Sequence, residues 1–170
     1  MNIINKAKKF AEKAHKGQLR KYTNEPYINH PISVARLVQT VCNDEYVLMA
    51  ALLHDVVEDT ETTIDDIWRE FGGKVADIVS DLTDISKPED GNRKIRKEID
   101  RQHIAKACKE AKLIKLADLI DNHKSIKKYD PDFAKVYMTE FLRLLEVLEG
   151  ANDILYNQAY IILKEYYNGK

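Results

Sequence analysis

The sequence predicts an all-α protein of eight or nine helices, residues 1–170 forming a single domain. Three observations predict it. Every segment with a clear hydrophobic period repeats at three and four residues, which is one face of a helix. Strong strand signals, such as alternating apolar and polar runs bounded by turn residues, are absent. A chain of 170 residues is the size of one domain with a real core.

Composition narrows the class. Hydrophobic content of 44% and charged content of 32% describe an ordinary soluble protein. A net charge of −1 calls for neither nucleic acid nor a membrane as partner. Charge is nonetheless unevenly spread: basic over 1–21, acidic over 55–70, basic again at Arg93, Lys94, Arg96 and Lys97. An acidic centre between basic segments suits a cation and an anionic ligand, although such runs are more often solvated helix faces. Cys42 and Cys108 form neither a metal spacing nor a disulfide framework. With no signal core and no apolar run of membrane-spanning length, the expected setting is the reducing cytoplasm.

Residues 2–16 read as a helix with Ile3, Ala7, Phe10, Ala11 and Ala14 on its apolar face and Gly17 at its end. His15 beside that end reads as structural rather than as a ligand. A polar loop over 18–29 carries the adjacent cations Arg20 and Lys21. Pro31 suits the first position of the next helix, through Ile32, Ala35, Val38 and Val41, and holds His30 at a rigid junction. Asn43 or Asp44 caps the third helix. There Val47, Ala50, Ala51 and His54 share one stripe, so an imidazole takes a core-facing slot.

Asp55 comes directly after His54, and Glu58 and Asp59 lie within the next turn. Desolvating that many acceptors without partners is costly. A cation resolves the cost, since neutral imidazole and carboxylate oxygens are its usual ligands. A lone His reads as a satisfied core histidine; this cluster favours a metal.

Thr63-Ile64-Asp65-Asp66 opens a short helix with acids in its first turn, ended by Phe71-Gly72-Gly73. Val75, Ile78, Val79 and Leu82 mark the next helix. Residues 84–92, polar and broken by Pro88 and Gly91, are the best candidate for a mobile loop. A charged helix spans 93–109, and a helix over 111–125 has Leu113, Leu116, Ala117 and Ile120 on its apolar face. Asp118, Asn122 and Ser125 line one stripe of that helix. A carboxylate there can complete a metal shell, with an amide and a hydroxyl beside it for a polar ligand; the plain alternative is that Asp118 and Asn122 cap neighbouring helices. Asp130-Pro131 starts a helix packed through Val136, Tyr137, Phe141, Leu144, Leu145 and Leu148. The last helix, 152–167, uses Tyr156, Tyr160, Tyr166 and Tyr167 as packing groups rather than as a stacking platform.

His30, His54-Asp55 and Asp118 together resemble the metal ligands of the HD superfamily of phosphohydrolases. The likeness is closer to the hydrolase domain of RelA/SpoT proteins and to stand-alone small alarmone hydrolases. It is carried by His15-Lys16-Gly17-Gln18, Arg20-Lys21, Pro26-Tyr27, His30-Pro31, the run from Leu53 to Thr60, Phe71-Gly72, Leu82-Thr83, and Lys115-Leu116-Ala117-Asp118 with Asn122. The resemblance implies an all-α fold holding one Mn²⁺ that removes the 3′-pyrophosphate from guanosine tetra- or pentaphosphate. It makes His30, His54, Asp55 and Asp118 the ligands, and gives Glu58 and Asp59 the attacking water. Arg20 would stack on the base with Lys21 beside it, and Asn122 and Ser125 would contact the nucleoside. Fe²⁺ and Zn²⁺ also suit such mixed nitrogen and oxygen donors. Leu119 stands where the family carries a basic residue, and Asp121 where it carries an aromatic or His. No synthetase domain is expected to follow, and the chain is expected to act as a monomer or a homo-oligomer.

Two other functions suit the same residues: an HD-type hydrolase acting on another nucleotide, such as a nucleoside monophosphate or phosphorylated dinucleotide, and a non-catalytic nucleotide sensor.

Overall fold

Capping chemistry sets where the helices begin. Asn2 accepts from the Ile4 amide at 2.9 Å and opens α1, Ile3–Ala14. Gly17, at φ +86°, turns the chain after it, a conformation that a side chain would oppose. Asp44, rather than Asn43, caps α3, Glu45–Leu53, by accepting from Tyr46 at 2.8 Å. Thr63 and Asp66 form a reciprocal capping box on α5, Ile64–Phe71. The Thr63 hydroxyl bond, at 2.6 Å, holds the Asp66 carboxyl below its ordinary value.

This computed structural model describes residues 2–169. Among them the chain is all-α, with one isolated bridge, Leu19 to Pro26, as its only extended pairing. Nine of the ten α-helices have eight residues or more; the tenth, α4 at Val56–Asp59, is a single turn. No described helix is long and apolar enough to cross a membrane. The contacts divide the chain into two compact units, one ending at Thr83 and the other starting at Asp84.

The first unit is built around α3. All seven residues from Val47 to Leu53 are buried, so this helix needs neighbours on every side. They are α1, α2 (Asn29–Gln39) and α6 (Gly73–Leu82). α5 packs on α6, and Gly72 at φ +85° makes the corner between them.

Helix α2 departs from expectation. Pro31 is its third residue rather than its first, and its missing N–H still falls among the donors that the first turn leaves unbonded. His30 therefore lies inside the helix. Its buried face runs through Pro31, Val34 and Val38; Val41 lies beyond its end.

In the second unit α8, Lys109–Tyr129, packs against α9, Pro131–Val147, and α10, Asp153–Asn168, while α7, Arg93–Lys106, packs on α9. The segment over 84–92 contains a 3₁₀ turn, Pro88–Asp90. Its beginning is tied down by the buried Asp100 carboxylate, which accepts from the Ile85 and Ser86 amides and the Ser86 hydroxyl at 2.8–3.1 Å.

Two more expected core faces differ in detail. On α9, Val136 is exposed, and Ala134, Met138, Phe141 and Leu145 are the buried set. On α10, Tyr160 and Tyr167 are exposed, and Leu155, Ala159 and Leu163 do the packing. Tyrosine tolerates either setting, so residue type left the face open.

Phe141 is fully buried. Phe141→Ala should cost about 3–5 kcal/mol in denaturant titration. Val136→Ala should stay within about 0.5 kcal/mol. Equal losses would show that the face is misassigned.

Candidate active site

Helix α3 ends at Leu53, and the chain turns through His54 and Asp55 before α4 resumes. His54 is buried at the end of this apolar rod, and Asp55 beside it is partly exposed. The His54 Nδ1 lies 2.8 Å from the Ala51 carbonyl, which can only accept, so Nδ1 carries the proton and the Nε2 lone pair faces the site. From α2 the buried His30 ring meets the His54 ring edge-on at 5.3 Å. Asp55 Oδ2 lies 3.1 Å from His54 Nε2 and 3.5 Å from His30 Nε2. One donor atom from each of the three residues falls within 4.8 Å of the others.

Glu58 and Asp59 occupy α4, the turn that follows Asp55, and both are exposed. Partial desolvation and the neighbouring Asp55 carboxylate raise the Asp59 carboxyl above its ordinary value, while Tyr27, His15 and His54 pull it down. A carboxylate so placed has more affinity for a proton than a free aspartate, which suits a general base.

The polar loop is closed by the Leu19–Pro26 bridge, with the Arg20 amide bonded to the Glu25 carbonyl at 2.8 Å. The Arg20 guanidinium lies 6.0 Å from the centre of the Tyr27 ring. Lys21 lies over the Tyr22 ring at 4.9 Å. His15 is buried, and its Nδ1 lies 2.6 Å from Gln18 Oε1.

Within the second unit, Asp118 is buried on α8. Lys115 Nζ lies 3.0 Å from its Oδ2, and the Asn122 amide donates to its Oδ1 at 2.6 Å. The Ser125 hydroxyl donates to the Asn122 carbonyl at 3.2 Å. Of the basic cluster, Arg93 forks onto Glu140 with two bonds of 2.8 Å, and Lys97 bonds Asp84 at 2.7 Å.

The sequence of residues 7–152 matches the family model described as HD domain. The chain belongs to the HD domain family. This HD protein is 38% identical over 164 residues to the guanosine-3′,5′-bis(diphosphate) 3′-pyrophosphohydrolase MESH1 of Xenopus tropicalis, covering 90% of this chain and 88% of that one. It is 40% identical to the human MESH1 over 129 residues, 72% of this chain and 69% of that one. Among solved structures it is similar to a metazoan ortholog of SpoT described as hydrolysing ppGpp. That match has a TM-score of 0.87 and 32% identity, covering 98% of this chain and 96% of that one.

The donor set of the HD protein fits a divalent cation. Two imidazoles and a carboxylate oxygen are hard-to-borderline ligands, and the His54 tautomer already turns its lone pair inward. Three residues had no assigned task in the sequence, Tyr27 and Gln18 in the first unit and Lys115 in the second. Tyr27 donates its hydroxyl to Asp55 Oδ2 at 2.8 Å. Burial, with Asp55 and Asp59 beside it, drives its phenol far up, so it stays a donor. Gln18 donates to the Asp59 carbonyl at 2.6 Å, and Lys115 faces Asp118. The only signal for all three was their place inside the family-like segments.

A cation that binds the folded chain alone raises its stability by about 2.7 kcal/mol at a hundredfold excess over the dissociation constant. Adding Mn²⁺ should therefore raise the melting temperature. The rise should shrink as pH falls, because protons compete for the imidazoles. His54→Ala should abolish it. An unchanged rise in that variant would place the cation elsewhere.

Proposed function

We propose that this protein hydrolyses the 3′-pyrophosphate of guanosine tetra- and pentaphosphate, releasing pyrophosphate and leaving GDP or GTP. The observation that carries the reading is the meeting of the buried His30 and His54 with the half-buried Asp55 in a chain whose relatives are named for that hydrolysis. The reading takes residues 1–170 as one catalytic domain, a view supported by a family match that runs through both compact units.

His30, His54, Asp55 and Asp118 hold a single divalent cation in this proposal. Mn²⁺ is the first choice on donor chemistry, with Fe²⁺ and Zn²⁺ also compatible. Such an ion supplies Lewis acidity, easing deprotonation of a water and neutralising charge on phosphoryl oxygens. The protein does the rest. Asp59 takes the proton from the attacking water, and Glu58 orients it. The water oxygen bonds to the phosphorus next to the ribose 3′ oxygen, that phosphorus–oxygen bond breaks, and the proton is returned to the 3′ oxygen. The Arg20 guanidinium stacks on the purine, with Lys21 beside it. Asn122 and Ser125 contact the nucleoside. The reaction belongs in the cytoplasm, where its nucleotide substrates are.

A nucleotide panel in Mn²⁺, read by chromatography, tests the substrate. Pyrophosphate with GDP from guanosine tetraphosphate supports the proposal. Orthophosphate alone, or turnover of a different nucleotide only, favours a hydrolase of other specificity. Binding without turnover makes the protein a sensor.

Asp59→Asn should lower turnover about 10²- to 10⁴-fold while keeping the cation-induced rise in melting temperature. Joint loss of both would contradict its role as base. Arg20→Ala should raise the Michaelis constant roughly 2- to 30-fold, the range of one cation–π contact, with a smaller effect on turnover. An unchanged Michaelis constant removes Arg20 from the base.

A further inference from the structure

Tyr27 brings an uncharged donor to the metal-type cluster. Its hydroxyl donates to Asp55 Oδ2 at 2.8 Å, the same oxygen that faces the Nε2 atoms of His54 and His30 at 3.1 and 3.5 Å. It also interacts with the Asp59 side chain.

The ring has little freedom. His15 lies against it at 4.7 Å between centroids, with the planes 35° apart. His30 meets it nearly edge-on at 5.9 Å, and Arg20 lies 6.0 Å from its centre. The backbone is fixed as well: the Tyr27 amide bonds to the Gln18 carbonyl at 3.0 Å. Gln18 in turn contacts His15 Nδ1 and the Asp59 carbonyl, each at 2.6 Å. His15 Nε2 is buried with no hydrogen-bond partner among the described residues. The end of α1, the polar loop and α4 thus join in a brace whose output is the direction of one O–H bond.

We propose that Tyr27 is the positioning residue of this centre, its hydroxyl fixing the Asp55 carboxylate so that Oδ2 is presented to the divalent cation held with His30 and His54. A ligating carboxylate that turns freely spends part of its binding energy on being ordered. One held by a hydrogen bond does not, and partners of this kind are worth about 10- to 100-fold in metal affinity or activity. The inference rests on the proposed metal-dependent reading of the site.

The test uses the full chain and Mn²⁺ alone. Isothermal titration of Tyr27→Phe, which removes only the hydroxyl, should show Mn²⁺ affinity lowered about 10- to 100-fold. At saturating Mn²⁺ the Michaelis constant for the nucleotide should change little. Replacing Tyr27 by p-aminophenylalanine, which keeps a donor at the same place, should restore most of the affinity. A Co²⁺-loaded sample should show a changed visible absorption spectrum in Tyr27→Phe and a near-normal one in the amino variant. Wild-type affinity and spectrum in Tyr27→Phe would overturn the proposal. So would a loss of melting temperature in chelator with no loss of Mn²⁺ affinity, which marks a packing role only. If Tyr27→Phe fails to fold, the amino variant decides: wild-type Mn²⁺ affinity and spectrum support the proposal, and a weakened affinity overturns it. If the unaltered chain binds no divalent cation, the metal-dependent reading itself has failed, an outcome separate from any behaviour of the variants.

Discussion

The burial of polar donors at the end of an apolar helix is the constraint on which the first unit depends. α3 is buried along all of Val47–Leu53, so it can lie only at the centre of a layer of helices, and α1, α2 and α6 supply that layer. A rod placed so carries the next residue of the chain, His54, into the interior and sets Asp55, half-buried, beside it. An uncompensated carboxylate and two imidazoles in such a place cost several kcal/mol, so the fold must provide partners. It does so locally for His54, through the Ala51 carbonyl, and at a distance for Asp55, through Tyr27.

That division explains why some of the site is legible in the sequence and some is not. His54 is the i+7 member of an apolar stripe, so its inward direction follows from helical spacing alone. Asp55, Glu58 and Asp59 follow from adjacency to it. The helices themselves were legible because their caps are local: Asn2, Asp44, Thr63, Asn92, Asp130 and Asn152 each bond an amide two or three residues on. Tyr27 is different. Its partner is 28 residues away, and Gln18 reaches a carbonyl 41 residues away. No periodicity encodes such pairs, and a Tyr in a polar loop has no preferred burial. The same limit explains α9 and α10. Val136, Tyr160 and Tyr167 fit an apolar stripe as well as Ala134, Met138 and Ala159 do, and only the packing against neighbouring helices chooses between the stripes.

Charge runs proved harder to read than apolar ones. The basic stretch at the start of α7 reads in the sequence as a solvated face or a partner for an anionic ligand. Arg93 is exposed, and it also forks onto Glu140 and lies 5.1 Å from the centre of the Phe133 ring, while Lys97 bonds Asp84. Two of its four cations therefore work as ties, α7 to α9 and α7 to the segment before it. A fork of two charge-assisted bonds fixes direction as well as distance. The Asp100 carboxylate, gathering three donors from Ile85 and Ser86, does the same for the entry to that segment.

The chemical type of each partner also has a logic. Asp55, Glu58 and Asp59 put three carboxylates within five residues. A lysine or arginine against Asp55 would relieve their repulsion most simply, but a fixed cation would also compete with any metal for the same oxygen. A phenol relieves less of the repulsion and leaves the negative charge in place. Because burial and the adjacent acids drive its own ionisation far up, it cannot become a fourth anion there. A neutral donor that stays protonated is thus the partner that steadies the carboxylate without cancelling the charge on which cation binding depends. Gln18, contacting His15 and the Asp59 backbone, extends the same uncharged support one step outward.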